Sequence, residues 1–280
     1  KGLRDAPRDA FMTDVTPARI RASGFGLRLA FYTTGFVIGP LAAMGLMAMS
    51  GDDFRLVFWI AVIPAVLAIG ILLFGITEKL PKKFAPRLLR LRRSDFALFT
   101  AAFWWAVAIA SLLSLARFSH AFLILKAHSI GIDAAFVPIM LVLMHVVYAV
   151  AAYPFGILAD RIDRRLQLGI GAVILIAADI VFATATVPWM AAIGAALWGL
   201  QMAVTQGLLS ASVADAAPVR LRGAAFGIFD LCIGLATFVA SAAVGALWMV
   251  GGPPLAFGFS GLIAAAVIVL LLFRPKSATR

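Results

Sequence analysis

Arg28, Arg117, His120, His145, Gln201, Gln206 and Asp230 each interrupt a run of otherwise apolar residues, and Arg4 and Arg8 stand four apart just ahead of the first run. A guanidinium holds anions, a histidine exchanges protons near neutral pH, and an aspartate in apolar surroundings carries either a charge or a proton. Together these side chains make a candidate path for a polar solute and for protons. A structural reading competes with it, because Asp5 and Asp9 stand beside Arg4 and Arg8 and could pair with them or with Arg28. Asp179, alone among alanines and isoleucines, reads equally well as a packing residue, a lipid-interface residue or a proton site. No Cys/His cluster has metal spacing, no glycine-rich loop suits a phosphate, and no Ser/His/Asp set has a recognisable context. We therefore expect no catalytic residues, no metal, no cofactor and no enzymatic activity.

The elements that carry these groups are long and apolar. The chain is 63% hydrophobic and 13% charged, against about 45–50% and 25% in soluble domains. A helix crossing a bilayer takes about 20 apolar residues, and runs of that kind fall at 22–49, 55–77, 96–126, 134–159, 166–187, 189–216, 223–250 and 255–273, after a helical stub at 1–15. Arg28 lies seven residues beyond Arg21 and Asp230 eight beyond Arg222, depths of about 10 and 12 Å at a helical rise of 1.5 Å. Both are well inside a hydrocarbon core about 30 Å thick.

Run 96–126 is longer than a bilayer needs and becomes polar at Ser114, Arg117, Ser119 and His120. That predicts a helix that breaks or flexes beside a cavity, with Arg117 and His120 on a shared face. In run 189–216, Gln201, Thr205 and Ser212 form one polar stripe and Gln206 and Ser210 another. These suit either a cavity wall or hydrogen bonding between helices.

A net charge of +11 would suggest nucleic acid in a soluble protein. Here the basic residues cluster between apolar runs, so topology explains them and no nucleic-acid partner is expected. Lys79–Arg93, Arg161–Arg165, Arg220–Arg222 and the tail residues Arg274, Lys276 and Arg280 fall on alternate connections, while the others are poor in Lys and Arg. Basic short loops stay cytoplasmic, so both termini are expected there.

One stretch occurs twice. Asp14, Pro17, Arg19 and Arg21 recur 201 positions later as Asp215, Pro218, Arg220 and Arg222, and Phe25 and Gly26 as Phe226 and Gly227. Each copy joins two apolar segments, which reads as one helix pair used twice.

Gly156, Asp160, Arg161, Arg164 and Arg165 follow the order Gly-x3-Asp-Arg-x2-Arg-Arg at the end of an apolar run. The glycine lets helix ends approach, the acid suits a helix terminus or an arginine, and the basic residues suit lipid phosphate. This resembles the signature found between paired helices in the major facilitator superfamily, with Asp163 where the family usually has glycine. Gly26, Gly35, Gly39 and Pro40 reproduce the spacing G-x8-G-x3-G-P of the fifth-helix motif in that superfamily's proton-coupled exporters, although Ala43 and Met44 replace its final glycine pair. Physically, Gly35 and Gly39 permit close helix packing and Pro40 loosens the backbone beyond them.

The resemblance implies an all-α membrane protein, a major-facilitator-type helical bundle with eight complete transmembrane helices equivalent to helices 5–12, preceded by the end of helix 4. Residues 1–78 would be the remnant of an N-terminal six-helix bundle, 79–95 a cytoplasmic linker, 96–274 the C-terminal six-helix bundle and 275–280 a tail. It implies secondary active transport of a small solute by alternating access, in the form of proton-coupled efflux across a bacterial inner membrane. The partners would be protons, the lipid bilayer and, from the basic candidate residues, an anionic or zwitterionic solute. The alternative is a truncated or degenerate membrane protein that does not transport, or a partner subunit.

Overall fold

The computed structural model describes residues 2–51, 53–75, 93–132 and 137–273. Linker residues 79–92 and the basic tail lie outside the described residues, as do the side chains of Arg4 and Pro40. Helix α1 is Gly2–Val15, α2 Arg21–Ser50, α3 Phe54–Gly75, α4 Ala101–Ala116, α5 Ala121–Ser129, α6 Val137–Ala159, α7 Arg164–Thr184, α8 Pro188–Ala216 and α9 Arg222–Phe273. No strand occurs among the described residues. Five segments among them, Ala101–Ser129, Ile139–Ala159, Arg164–Thr184, Pro188–Ala216 and Val219–Leu272, are long and apolar enough to cross a membrane. The protein is an all-α membrane protein.

The run 96–126 is not one helix. Thr100 caps α4 by accepting from the Phe103 N–H at 3.3 Å, and α4 ends at Ala116. The chain then leaves helical geometry at Arg117 (φ −98°, ψ 97°) and re-enters at α5. Arg117 therefore closes one helix and His120 precedes the next, so the shared helical face expected for them does not exist.

Helix α9 is two arms. Gly252 adopts φ 68°, ψ −163°, a conformation open to glycine, and Pro253 and Pro254 follow it. The arms double back: Ser241, before the break, accepts from the Ser119 N–H at 3.1 Å, and Ser260, after it, lies 2.6 Å from the Ala116 carbonyl. Both arms thus reach the same level of the α4–α5 break.

By contacts the chain divides into two units, Lys1–Thr34 with Ser94–Arg280, and Gly35–Arg93. In the first, α6 packs on α8, α7 on α8 and α9, and α4 on α9. Buried alanines along these seams, among them Ala172, Ala191, Ala211 and Ala225, let the backbones approach. Gln167, 1% exposed, donates from α7 to Phe155 O on α6 at 2.9 Å and to Val204 O on α8 at 3.0 Å. Phe118, Phe182, Trp198 and Phe257 fill the core around the α4–α5 break, and Phe25, Phe103 and Phe226 fill a second core. Phe238, Leu262 and Leu272 lie exposed on outer surfaces, where lipid tails offer an apolar environment. In the second unit, α3 likewise exposes Phe58, Trp59 and Ile71.

Candidate functional site

The two copies of the duplicated stretch meet face to face. Each follows the same path: a proline in extended geometry (Pro17 φ −55°, ψ 142°; Pro218 φ −58°, ψ 135°), one 3-10 turn, then a new helix beginning at Arg21 or Arg222. Across the contact Arg21 pairs with Asp215, and the equivalent residues exchanged, Arg222 with Asp14. Phe25 and its equivalent Phe226 touch with ring centroids 6.0 Å apart. This is the reciprocity of a two-fold interface, made within one chain by duplication. Arg19 and Arg220 are exposed beside it.

The Gly156–Arg165 motif attaches to the first copy. Asp160 accepts from the Ala22 N–H at 3.0 Å and the Ser23 N–H at 2.8 Å, and also from the Ser23 hydroxyl. The first N–H groups of a helix have no partner within it, and a carboxylate there also meets the positive end of the helix dipole. Glycine makes the approach possible. A Cβ on Gly156 would lie 2.7 Å from Ala22 O, and one on Gly26 2.5 Å from Ala152 O, so α2 and α6 cross through paired Ala-x3-Gly segments. Arg164 also reaches Asp215, giving that carboxylate two guanidinium partners. Arg161 is exposed and Arg165 half-buried. Asp163 needs no glycine conformation: at φ −61° it caps α7, accepting from the Arg165 N–H at 2.7 Å.

Other members of the glycine pattern behave differently. Apart from the adjoining turns of its own helix, no described residue comes within 4 Å of the point where a Cβ on Gly35 or Gly39 would stand, so neither forms a close crossing among the described residues.

Further in, Asp9 receives both Arg28 and, at 3.3 Å, Arg8. Arg8 also lies over the Tyr32 ring at 6.0 Å, and Arg28 over Phe25 at 5.4 Å. The structural ion pair weighed for these residues is present. His120 and His145 approach edge to face with ring centroids 6.0 Å apart. Arg117 donates from Nε to Leu113 O at 3.2 Å, while its Nη1 is buried without a hydrogen-bond partner among the described residues. Tyr148 donates to Gln206 Oε1 at 2.6 Å. Gln201 is fully buried and bonds Thr205 at 3.3 Å, so that stripe serves helix packing in this conformation. Asp230 is half-buried on the first arm of α9.

Ser23, Ser241 and Ser260 were not singled out by sequence reasoning. Ser23 alone carried a usable signal, since it sits in the first turn after a duplicated Arg.

Comparison with known proteins follows the same line. The Major Facilitator Superfamily profile matches residues 2–125 and 107–280. An uncharacterised MFS-type transporter of Methanocaldococcus jannaschii is 30% identical, over 98% of this chain and 69% of its own length. An uncharacterised protein of Mycobacterium tuberculosis is 23% identical, over 98% of this chain and 68% of its own. Among solved structures, a human organic anion transporter superposes with TM-score 0.75 at 16% identity, covering 95% of this chain and 67% of that one. The E. coli fucose:proton symporter gives TM-score 0.75 at 17% identity, covering 98% and 73%. With its duplicated stretch self-paired and its Gly-x3-Asp-Arg motif seated on a helix terminus, the chain belongs to the Major Facilitator Superfamily of secondary transporters.

Proposed function

We propose that this secondary transporter moves a small anionic or zwitterionic solute by alternating access, in proton-coupled efflux. The observation that carries the solute class is Arg117. Its guanidinium sits where the chain leaves helical geometry, with Nη1 buried and without a hydrogen-bond partner among the described residues. A buried cationic donor left without a partner is costly, and a carboxylate or phosphate arriving there would satisfy it in the paired geometry that guanidinium favours. His120 lies three residues on, within ring contact of His145, so the two imidazoles stand beside the proposed anion site. Arg8 and Arg28, which share Asp9, would add positive charge, with Gln206 and Asp230 lining the rest.

The crossed pairs Arg21–Asp215 and Arg222–Asp14, with Asp160 on the α2 terminus, would form the inner latch that opens when the site faces the cytoplasm. Efflux is supported by the Gly26–Pro40 spacing and inner-membrane placement by the basic alternate loops. Both termini would then be cytoplasmic.

Thermal-shift and calorimetric titration of the purified protein against small carboxylates, phosphates, amines and sugars tests the solute class. Stabilisation by anions that disappears in Arg117→Gln is expected; stabilisation by amines alone would remove it. In proteoliposomes, solute movement indifferent to an imposed proton gradient would remove the coupling.

A further inference from the structure

The two serines that reach the α4–α5 break differ in how many protons their contacts need. Ser241 is complete: it donates to Thr237 O at 2.8 Å and accepts from the Ser119 N–H at 3.1 Å. Ser260 Oγ lies 2.6 Å from Ala116 O and 2.6 Å from Asp179 Oδ2. A hydroxyl carries one proton and a carbonyl oxygen carries none. Oxygens approach this closely only with a proton between them, and one proton cannot serve two such contacts. The second has to come from Asp179.

The surroundings of Asp179 agree. It is 2% exposed and Ser260 is fully buried. Its Oδ1 is buried without a hydrogen-bond partner among the described residues. Asp179 lies fifteen residues from Arg164 and five from Thr184 on α7. Helix α8 has no charged residue before Asp215, the second arm of α9 has none, and the first arm has Arg222 and Asp230. The α4–α5 segment brings Arg117, His120, Lys126 and His128, and α6 brings His145. None of these forms an ion pair with Asp179 among the described residues. A carboxylate in that place would be a buried charge with neither counter-ion nor full hydrogen bonding, which proteins avoid by neutralising the group.

We propose that Asp179 is a proton-binding site, a neutral carboxylic acid that donates to Ser260 so that Ser260 donates to the last carbonyl of α4. The chain of bonds Asp179–Ser260–Ala116 ties α7, the second arm of α9 and the helix break together. Ala116 O is one of the carbonyls a helix end leaves unsatisfied, and Ser260 caps it. When the proton leaves, the hydroxyl turns to the carboxylate, because bonds to a charged acceptor are the stronger. Ala116 O then loses its cap, and the break between α4 and α5 is freed to move. Occupancy of one proton thus sets the state of a hinge, whatever solute the transporter carries.

Infrared difference spectroscopy of the purified protein in lipid nanodiscs at neutral pH tests this. The expected result is a carbonyl-stretch band of a protonated carboxylic acid that disappears in Asp179→Asn and moves to higher frequency in Ser260→Ala, where the acid loses its acceptor. An identical spectrum in wild type and Asp179→Asn overturns the proposal. Where Asp179→Asn does not fold, the Ser260→Ala spectrum decides, and a band that stays in place overturns it. Asp179→Asn keeps a donor towards Ser260, so its melting temperature should match the wild type, while Asp179→Ala should fall below both.

Discussion

Phe25 and Phe226 hold the same position in the two copies of the duplicated stretch, and their rings pack on each other at 6.0 Å. Equivalent residues that touch across a local two-fold axis are flanked by contacts in exchanged pairs. Arg21–Asp215 and Arg222–Asp14 are such a pair. The two are unequal in setting: Asp215 also receives Arg164 and has a side chain 27% exposed, whereas the Asp14 side chain is 54% exposed.

The simpler pair gives the cleaner test. Asp14→Arg or Arg222→Asp alone places like charges together and should lower the melting temperature, and the exchange Asp14→Arg/Arg222→Asp should restore it. Because the acid is exposed, the coupling energy in a double-mutant cycle should be only about 0.5–1 kcal/mol. The same exchange at Arg21 and Asp215 should rescue poorly, since it sets a new arginine against Arg164.

Asp160 should matter more than either exposed pair. It serves two backbone N–H groups and a hydroxyl at the α2 terminus. Asp160→Ala should cost about 1–2 kcal/mol, the upper part of the helix-cap range, measured by chemical or thermal unfolding in detergent. Asp160→Asn, which keeps an acceptor, should cost less, and Ser23→Ala least. Equal losses in all three would show that the cap does not carry the stability.

Much of this arrangement was legible in the chain, and what was not has identifiable causes. The duplicated stretch could be found by sliding the sequence on itself, and the polar cluster at Ser114–His120 announced that its helix would not run through. That same break removed the helical face on which Arg117 and His120 were expected to stand, because three-residue spacing means a shared face only while the helix lasts. The reciprocal pairing of the copies was invisible, since a repeat fixes what is alike and not what is adjacent. Ser260 was passed over because hydroxyls in apolar helices ordinarily bond the carbonyl four residues back, as Thr34, Ser212 and Ser241 do here.

Glycines of the two motifs should fall into two classes. Gly26→Ala and Gly156→Ala put a methyl group against a backbone carbonyl at 2.5 and 2.7 Å, where only separation of α2 and α6 makes room. Both should lower folded yield and melting temperature, by about 1–3 kcal/mol as for overpacked sites. Gly35→Ala and Gly39→Ala meet nothing among the described residues, and should be neutral or stabilise by up to about 1 kcal/mol, as alanine does in a helix interior. Fluorescence-detected size-exclusion chromatography across a heating series would separate the two classes.

Tyr148 and Gln206 should behave as a unit. Their hydrogen bond, 2.6 Å long, joins α6 to α8. Tyr148→Phe removes the donor and leaves Gln206 Oε1 short of it, a loss of about 1–3 kcal/mol for a buried group. Gln206→Leu strands the phenol hydroxyl at similar cost. The double variant leaves neither group wanting, so its loss of unfolding energy should be smaller than the sum of the single losses, by a coupling of about 1 kcal/mol in a double-mutant cycle. Simple additivity would mean that both groups find other partners, and that this bond does not hold α6 against α8.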